Sequence, residues 1–361
     1  MTSFVPDRQV YVLPKRLGDI ALWLIAALHL LVAASLVFIL FSIAPAHAAE
    51  DASCGGANLM TQLQQTNPKR YAEVIAEGEK VPNGKGLFWK IEKPGLPTSY
   101  LLGTMHVTDP RVLTMPAGAA AAQESANTII IESDEILDDQ KALAALMMKP
   151  DLMMFTDGSS ITDLISPEDK ALLEKGLKER GVPLAAVSKM KPWMISSFVS
   201  LPPCEFTRKA AGASFLDKKI ALDAIAAGKT VAGLETLSEQ LVAMSELPVK
   251  FHLQALIETL KLGPKMADVM ETMTQLYLSG DIGMTMPMLK AVSPPEGDDE
   301  AGYASFEQRI ILDRNRVMAT RSAPYFEKGG IFMAVGALHL PGDAGVIALL
   351  RQQGYTITAA N

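Results

Sequence analysis

Apolar positions fall into three regimes along this chain. From Ile20 to Ile43 they run on with only His29, Ser35 and Ser42 between them, long enough for a membrane-spanning helix. Beyond Gly86 they come in short β-branched or aromatic runs bounded by glycine or proline, the pattern of strands. From Gln140 to Ser322 the chain reads as mostly helical. Gly86–Ile91 and Thr98–Leu102, parted by Pro94-Gly95, predict a β-hairpin. Thr128–Ile131, Thr230–Leu234, Ile331–Val335 and Tyr355–Thr358 predict four further strands. Helices are predicted within 55–85, over Phe215–Ala227, over Tyr303–Ser322, and from an Asp343 N-cap to a Gly354 C-cap. Ser293–Gly302 predicts an exposed loop. The fold class implied is α/β (α+β): a central mixed sheet flanked by helices, carrying a large, mainly helical insertion over about 140–322.

Composition changes this picture chiefly at the N-terminus. The 361 residues are 49% hydrophobic and 20% charged, with a mean hydropathy of +0.19, and the 20–43 run lifts that average. Arg8, Lys15 and Arg16 precede the run, and Ala46-His47-Ala48 follows it as a small-x-small cleavage pattern. Residues 1–48 are thus either a signal peptide cut after Ala48 or an uncleaved anchor. In both cases residues 49–361 form the exported domain, periplasmic or in the cell envelope, and only 20–43 would touch a membrane. Asp51 stands where a lipobox before Cys54 would be apolar, which argues against lipidation. A net charge of −7 argues against nucleic-acid binding driven by phosphate contacts. The two cysteines, Cys54 and Cys204, both lie in the exported part, so a disulfide between them competes with two separate buried thiols. Six of the 19 methionines lie between Met266 and Met288. Their spacing at 266, 270 and 273 fits a buried helical stripe better than a Cu(I) site.

Phosphate-loop, nucleophile-elbow, zincin and dinucleotide-binding motifs are all absent. A local pattern is instead repeated. Strand 99–102 runs into Gly103-Thr104-Met105-His106, and strand 331–335 runs into Gly336-Ala337-Leu338-His339. Strand followed by G-x-x-H uses two of the three histidines that remain after residue 48. Gly103 and Gly336 allow a sharp turn or a close backbone approach. Two other strands end in carboxylates, at Glu132 (with Asp134 nearby) and at Glu235. If these strands share a sheet and a direction, His106, Glu132, Glu235 and His339 meet at the carboxyl rim where open α/β sheets place their sites. Two imidazoles and one or two carboxylates suit a borderline divalent metal, with a remaining carboxylate as general base. His252 sits in a helical stretch outside every motif and reads as structural.

At these residues the chain resembles the TraB/GumN family, to which the Tiki proteases belong. The matching stretches are Tyr100–His106, Ile129–Asp134, Lys191–Met194, Gly233–Thr236, Arg314-Asn315 and Val335–Gly342. Pro202-Pro203-Cys204 and Cys54-Gly55-Gly56 are similar to a proteobacterial branch of it. The resemblance implies an EreA/ChaN-like fold. For the Tiki branch it implies a manganese- or cobalt-dependent peptidase; zinc or iron also suits the residues. It makes His106, His339 and Glu132 metal ligands or catalytic groups, with Glu235 and Arg314 as further site residues. Arg314 reads equally as an oxyanion donor and as a structural ion-pair partner.

The function expected is an exported metal-dependent hydrolase acting on a peptide or small molecule. The alternative is a non-catalytic envelope protein that binds haem, iron or a signalling peptide through the same histidines. A third reading keeps the fold without the chemistry, as an envelope-assembly protein.

Overall fold

The structure, a computed structural model, describes residues 54–360 apart from 139, 141, 143–146 and 293–299. The leader, its cleavage site and the apolar run 20–43 lie outside the described residues. Among the described residues no helix is long and apolar enough to cross a membrane.

Six strands form one mixed sheet: β1 (Phe88–Glu92), β2 (Ser99–Thr104), β3 (Thr128–Ile131), β4 (Thr230–Gly233), β5 (Ile331–Gly336) and β6 (Thr356–Ala359). Their order is β4-β3-β5-β2-β1-β6. β1 runs antiparallel to β2, as the hairpin predicted, and antiparallel to β6 on its other side. β2, β5, β3 and β4 are mutually parallel, so their carboxyl ends share one rim. The apolar runs are near-continuous because both sheet faces are covered. Leu102, Ile129, Ile131 and Phe332 pack on one side against the Leu216–Ala226 helix. Leu101, Ile130, Met333 and Val335 pack on the other, against the Asp313–Phe326 and Val346–Gln352 helices. Residues of alternate parity face opposite ways, as strand geometry requires.

The helical insertion is present and has its own small core, in which Leu173, Leu177, Ile195 and Leu256 are fully buried. Four boundaries differ from the sequence reading. The 55–85 helix is two helices, Leu59–Thr66 and Pro68–Glu79, because Asn67 ends one and caps the next ahead of Pro68. Of the loop predicted over Ser293–Gly302, positions 293–299 lie outside the described residues and the rest belongs to a helix, Glu300–Phe306. The Tyr303–Ser322 helix is interrupted by a π-helical stretch, Glu307–Leu312, immediately before the helix that carries Arg314. Asp343 does not cap the last helix. Asn315 donates to the Ala344 carbonyl at 2.9 Å and the Gly342 amide bonds Pro82, which holds the chain in a loop until Gly345.

Cys54 and Cys204 form a disulfide, with Cα atoms 5.7 Å apart, so the separate-thiol reading falls. Of the predicted stripe, Met270 and Met273 are half-buried against hydrophobic cores, whereas Met266 lines an apolar cavity.

Candidate metal centre at the carboxyl rim of the sheet

Both motif histidines and both glutamates follow the ends of parallel strands, and Arg314 comes from the Asp313–Phe326 helix. β2 ends at Thr104 and places His106 two residues on, β3 ends at Ile131 and is followed by Glu132, and β4 ends two residues before Glu235. β5 ends at Gly336, after which one 3-10 turn, Ala337–His339, folds His339 back over the rim. The two glycines serve close approach rather than unusual dihedrals. A Cβ on Gly336 would lie 3.1 Å from Glu132 Oε1, and one on Gly103 would lie 3.1 Å from Ala337 of the other motif.

Glu132 is the centre of the cluster. Its Oε1 accepts the Gly336 amide at 2.7 Å and lies 3.9 Å from His106 Nε2 and 3.8 Å from His339 Nε2. Its Oε2 accepts from Arg314 Nη2 at 2.6 Å and from Gln240 at 3.2 Å. Arg314 spans two carboxylates: Nε and Nη2 also reach Glu235 at 3.0 and 2.8 Å. Arg314 lines the pocket described below, whereas Glu235 lies behind it and does not. The structure therefore brings His106, Glu132, His339 and Arg314 to one pocket and holds Glu235 as the outer partner of the guanidinium.

Two residues without an assigned role in the sequence reading support the histidines. Asn315 Oδ1 lies 2.7 Å from His339 Nδ1. That acceptor keeps the proton on Nδ1 and leaves the Nε2 lone pair facing the pocket. Asp217, in the first turn of the Leu216–Ala226 helix, accepts from Thr104 Oγ1 at 2.7 Å through Oδ1. Its Oδ2 lies 3.4 Å from His106 Nε2 and is buried with no hydrogen bond. Asn315 was in reach of the sequence as half of the Arg314-Asn315 motif. Asp217 had no signal beyond an acid at a helix start, where acids are common.

The two imidazoles differ in charge. For His106, enclosure by protein opposes protonation, but Asp217 and then Glu132 outweigh it and lift the pKa to about 9, with Lys209 opposing. For His339, burial dominates over the attraction of Glu132, and the pKa falls to about 4. Burial also works against the charge of Glu132, yet His339, His106, Arg314 and the Gly336 amide together hold its carboxyl at about 2. The ring of His106 is half exposed at the pocket mouth, while Glu132 and His339 form the floor, each under a tenth exposed.

The pocket has a volume of about 220 Å³, with Met105, Met273, Tyr277 and Leu338 as its apolar walls. Leu338 also lines a second, mainly apolar cavity of about 810 Å³ among the insertion helices, with Trp193, Phe251, Leu262, Met286 and Phe306. His252 borders that cavity and bonds the Met244 carbonyl at 2.8 Å, away from the rim.

Among the described residues no three His, Cys, Asp or Glu side chains close into a formed ligand shell. The donor chemistry nevertheless fits a divalent ion. Neighbouring donors stand 3.4–3.9 Å apart, and two ligands at roughly 2.1 Å from a tetrahedral ion stand about 3.4 Å apart. One imidazole has its outer nitrogen clamped as ligating histidines do, and a buried carboxylate oxygen accepts no hydrogen bond.

These features define a class: an α/β protein whose parallel strand ends present two histidines and a glutamate around a small pocket. The chain belongs to the TraB/PrgY/gumN family, which it matches over residues 87–359. Among curated proteins it is 25% identical to metalloprotease TIKI2 of Xenopus tropicalis, over 72% of this chain and 57% of that protein. It is 24% identical to metalloprotease TIKI2 of Danio rerio, over 74% of this chain and 60% of that protein. The metalloprotease TIKI homolog of Nematostella vectensis is 22% identical, over 76% and 67% respectively. The chain thus spans somewhat under two thirds of the first two relatives. No solved structure matches it.

Proposed function

We propose that the protein is a metal-dependent peptidase whose ion is held by His106, His339 and Glu132. The observation that carries the reading is the placement of Glu132 Oε1 between the two imidazole Nε2 atoms, at 3.9 and 3.8 Å. Relatives named as metalloproteases support it. A divalent ion there would polarise a scissile carbonyl and lower the pKa of water. A donor set of imidazole and carboxylate without thiolate suits manganese, cobalt, zinc or iron.

The chain's own residues supply orientation and charge. Asn315 holds the proton of His339 on Nδ1. Arg314 fixes the Glu132 carboxylate from behind through Oε2, and the Gly336 amide fixes Oε1. With Nε and Nη2 engaged by carboxylates, Arg314 acts on the Glu132 position before it acts on any oxyanion. Glu235 gives both oxygens to Arg314, so this reading no longer uses it as the proton acceptor. Leu338, shared by the pocket and the large apolar cavity, places apolar surface beside the scissile bond. Residues 1–48 would export or anchor the domain, and the disulfide fits an oxidising compartment.

The test is cleavage of a peptide library by the chain stripped of metal and then supplied with manganese, cobalt, zinc or iron in turn. Turnover should need one of these ions, favour apolar residues near the cut, and vanish in both His106→Ala and His339→Ala. Unchanged turnover in those variants would remove the proposed centre. A haem spectrum together with no metal-dependent cleavage would favour the binding-protein reading.

A further inference from the structure

We propose that Asp217 is a further donor to the same ion, binding through Oδ2; this rests on the metal centre proposed above. Four observations converge on it. The residue is only 2% exposed, and its Oδ2 is buried without a hydrogen bond. A carboxylate oxygen in that state is costly unless a cation or donor faces it. The carboxylate is not loose: Thr104 Oγ1, from the last residue of β2, pins Oδ1 at 2.7 Å. The helix behind it is anchored by fully buried Leu216 and almost fully buried Ile220. With Oδ1 fixed, Oδ2 is directed to His106 Nε2, at 3.4 Å.

The local charge points the same way. Glu132 and Glu235 share the Arg314 guanidinium, whereas Asp217 Oδ2 faces His106. Lys209 is turned to the His106 carbonyl and to Glu205 instead. A divalent ion beside His106, Glu132 and Asp217 would give both carboxylates a counter-charge. Asp217 reaches the rim from a helix packed on the sheet face, so the donor set would be drawn from a strand end, a strand-end loop, a 3-10 turn and this helix.

The experiment uses the full chain, freed of metal by chelation, and Co²⁺ alone as the probe. Affinity is read by calorimetric titration, and stability by thermal unfolding with and without Co²⁺. Asp217→Asn keeps an oxygen for Thr104 and replaces the donor oxygen by an amide. It should bind Co²⁺ at least about tenfold more weakly and lose most of the Co²⁺-induced rise in Tm. Its metal-free Tm should not exceed that of wild type, since the contact of Oδ2 with His106 is weakened. Thr104→Val, which removes the pin and leaves Oδ2, should keep affinity within a few-fold. Wild-type affinity in Asp217→Asn would overturn the assignment and leave the metal centre standing. So would an equal loss of affinity in Thr104→Val. Absence of Co²⁺ binding by the wild-type chain would overturn the assignment and the centre together.

Discussion

Arg314 and Asn315 are neighbours in sequence and do different work: one holds a carboxylate, the other an imidazole. Asn315→Ala removes the acceptor of His339 Nδ1 and its bond to the Ala344 carbonyl. Metal affinity should fall about 10–100-fold, as for other partners that orient ligating histidines, measured by competition with a chelating dye. Glu132→Gln gives a second prediction, made in chelator. The Glu132 carboxyl is held at about 2, below its ordinary 4.5. The native state therefore binds this proton less readily than the unfolded chain. The stability Glu132 contributes is complete above pH 4.5 and fades as pH falls toward 2. Urea titrations should show wild type ahead of Glu132→Gln by roughly 1–3 kcal/mol at pH 7, with the gap shrinking at pH 3. His106, His339 and Glu132 were legible because a repeated G-x-x-H and a strand-end carboxylate are local patterns. Asp217 was not, since an acid in a first helical turn has an adequate local reason to be there. Nor was the tie between Glu235 and Arg314, which depends on a pairing across the fold.

Among the elements, the Pro203–Ala210 helix governs the loop that carries His106. Glu205 accepts the Thr108 amide at 2.7 Å and the Thr108 hydroxyl at 2.8 Å, and Lys209 holds the His106 carbonyl at 2.5 Å. Cys204 lies in that helix, and Arg208 reaches Cys54 Sγ at 3.0 Å. The disulfide closes a span of 150 residues, which limits its contribution to about 5 kcal/mol by chain entropy. Cys204→Ser should lower the urea midpoint by up to that amount and speed hydrogen exchange at the Thr108 amide. Unchanged exchange there would mean the helix braces the loop without the bridge. The strands could be read directly because β-branched runs between glycines have few other uses. Helix ends could not: the hold of Asn315 on Ala344 displaces the start of the last helix, and a π-helical stretch enters a segment whose composition gives no hint of it.

At the level of the molecule, the sequence carried the sheet's content but not its order. β5 is the fifth strand in the chain and lies in the middle of the sheet, paired with β2 on one side and β3 on the other. Nothing local in Ile331–Gly336 announces that position, apart from a run buried on both faces. A chain ending at residue 330 should lack both the cooperative unfolding transition and metal binding, checked by calorimetry and Co²⁺ titration. The consequence reaches into biosynthesis. While the ribosome is still making the insertion, β2 and β3 each present an open edge where β5 will later sit, a state prone to pairing with other chains. The candidate centre comes into being only once β5 and the turn that carries His339 have been made, so a copy stopped short of them is a hazard for aggregation rather than a partly assembled site.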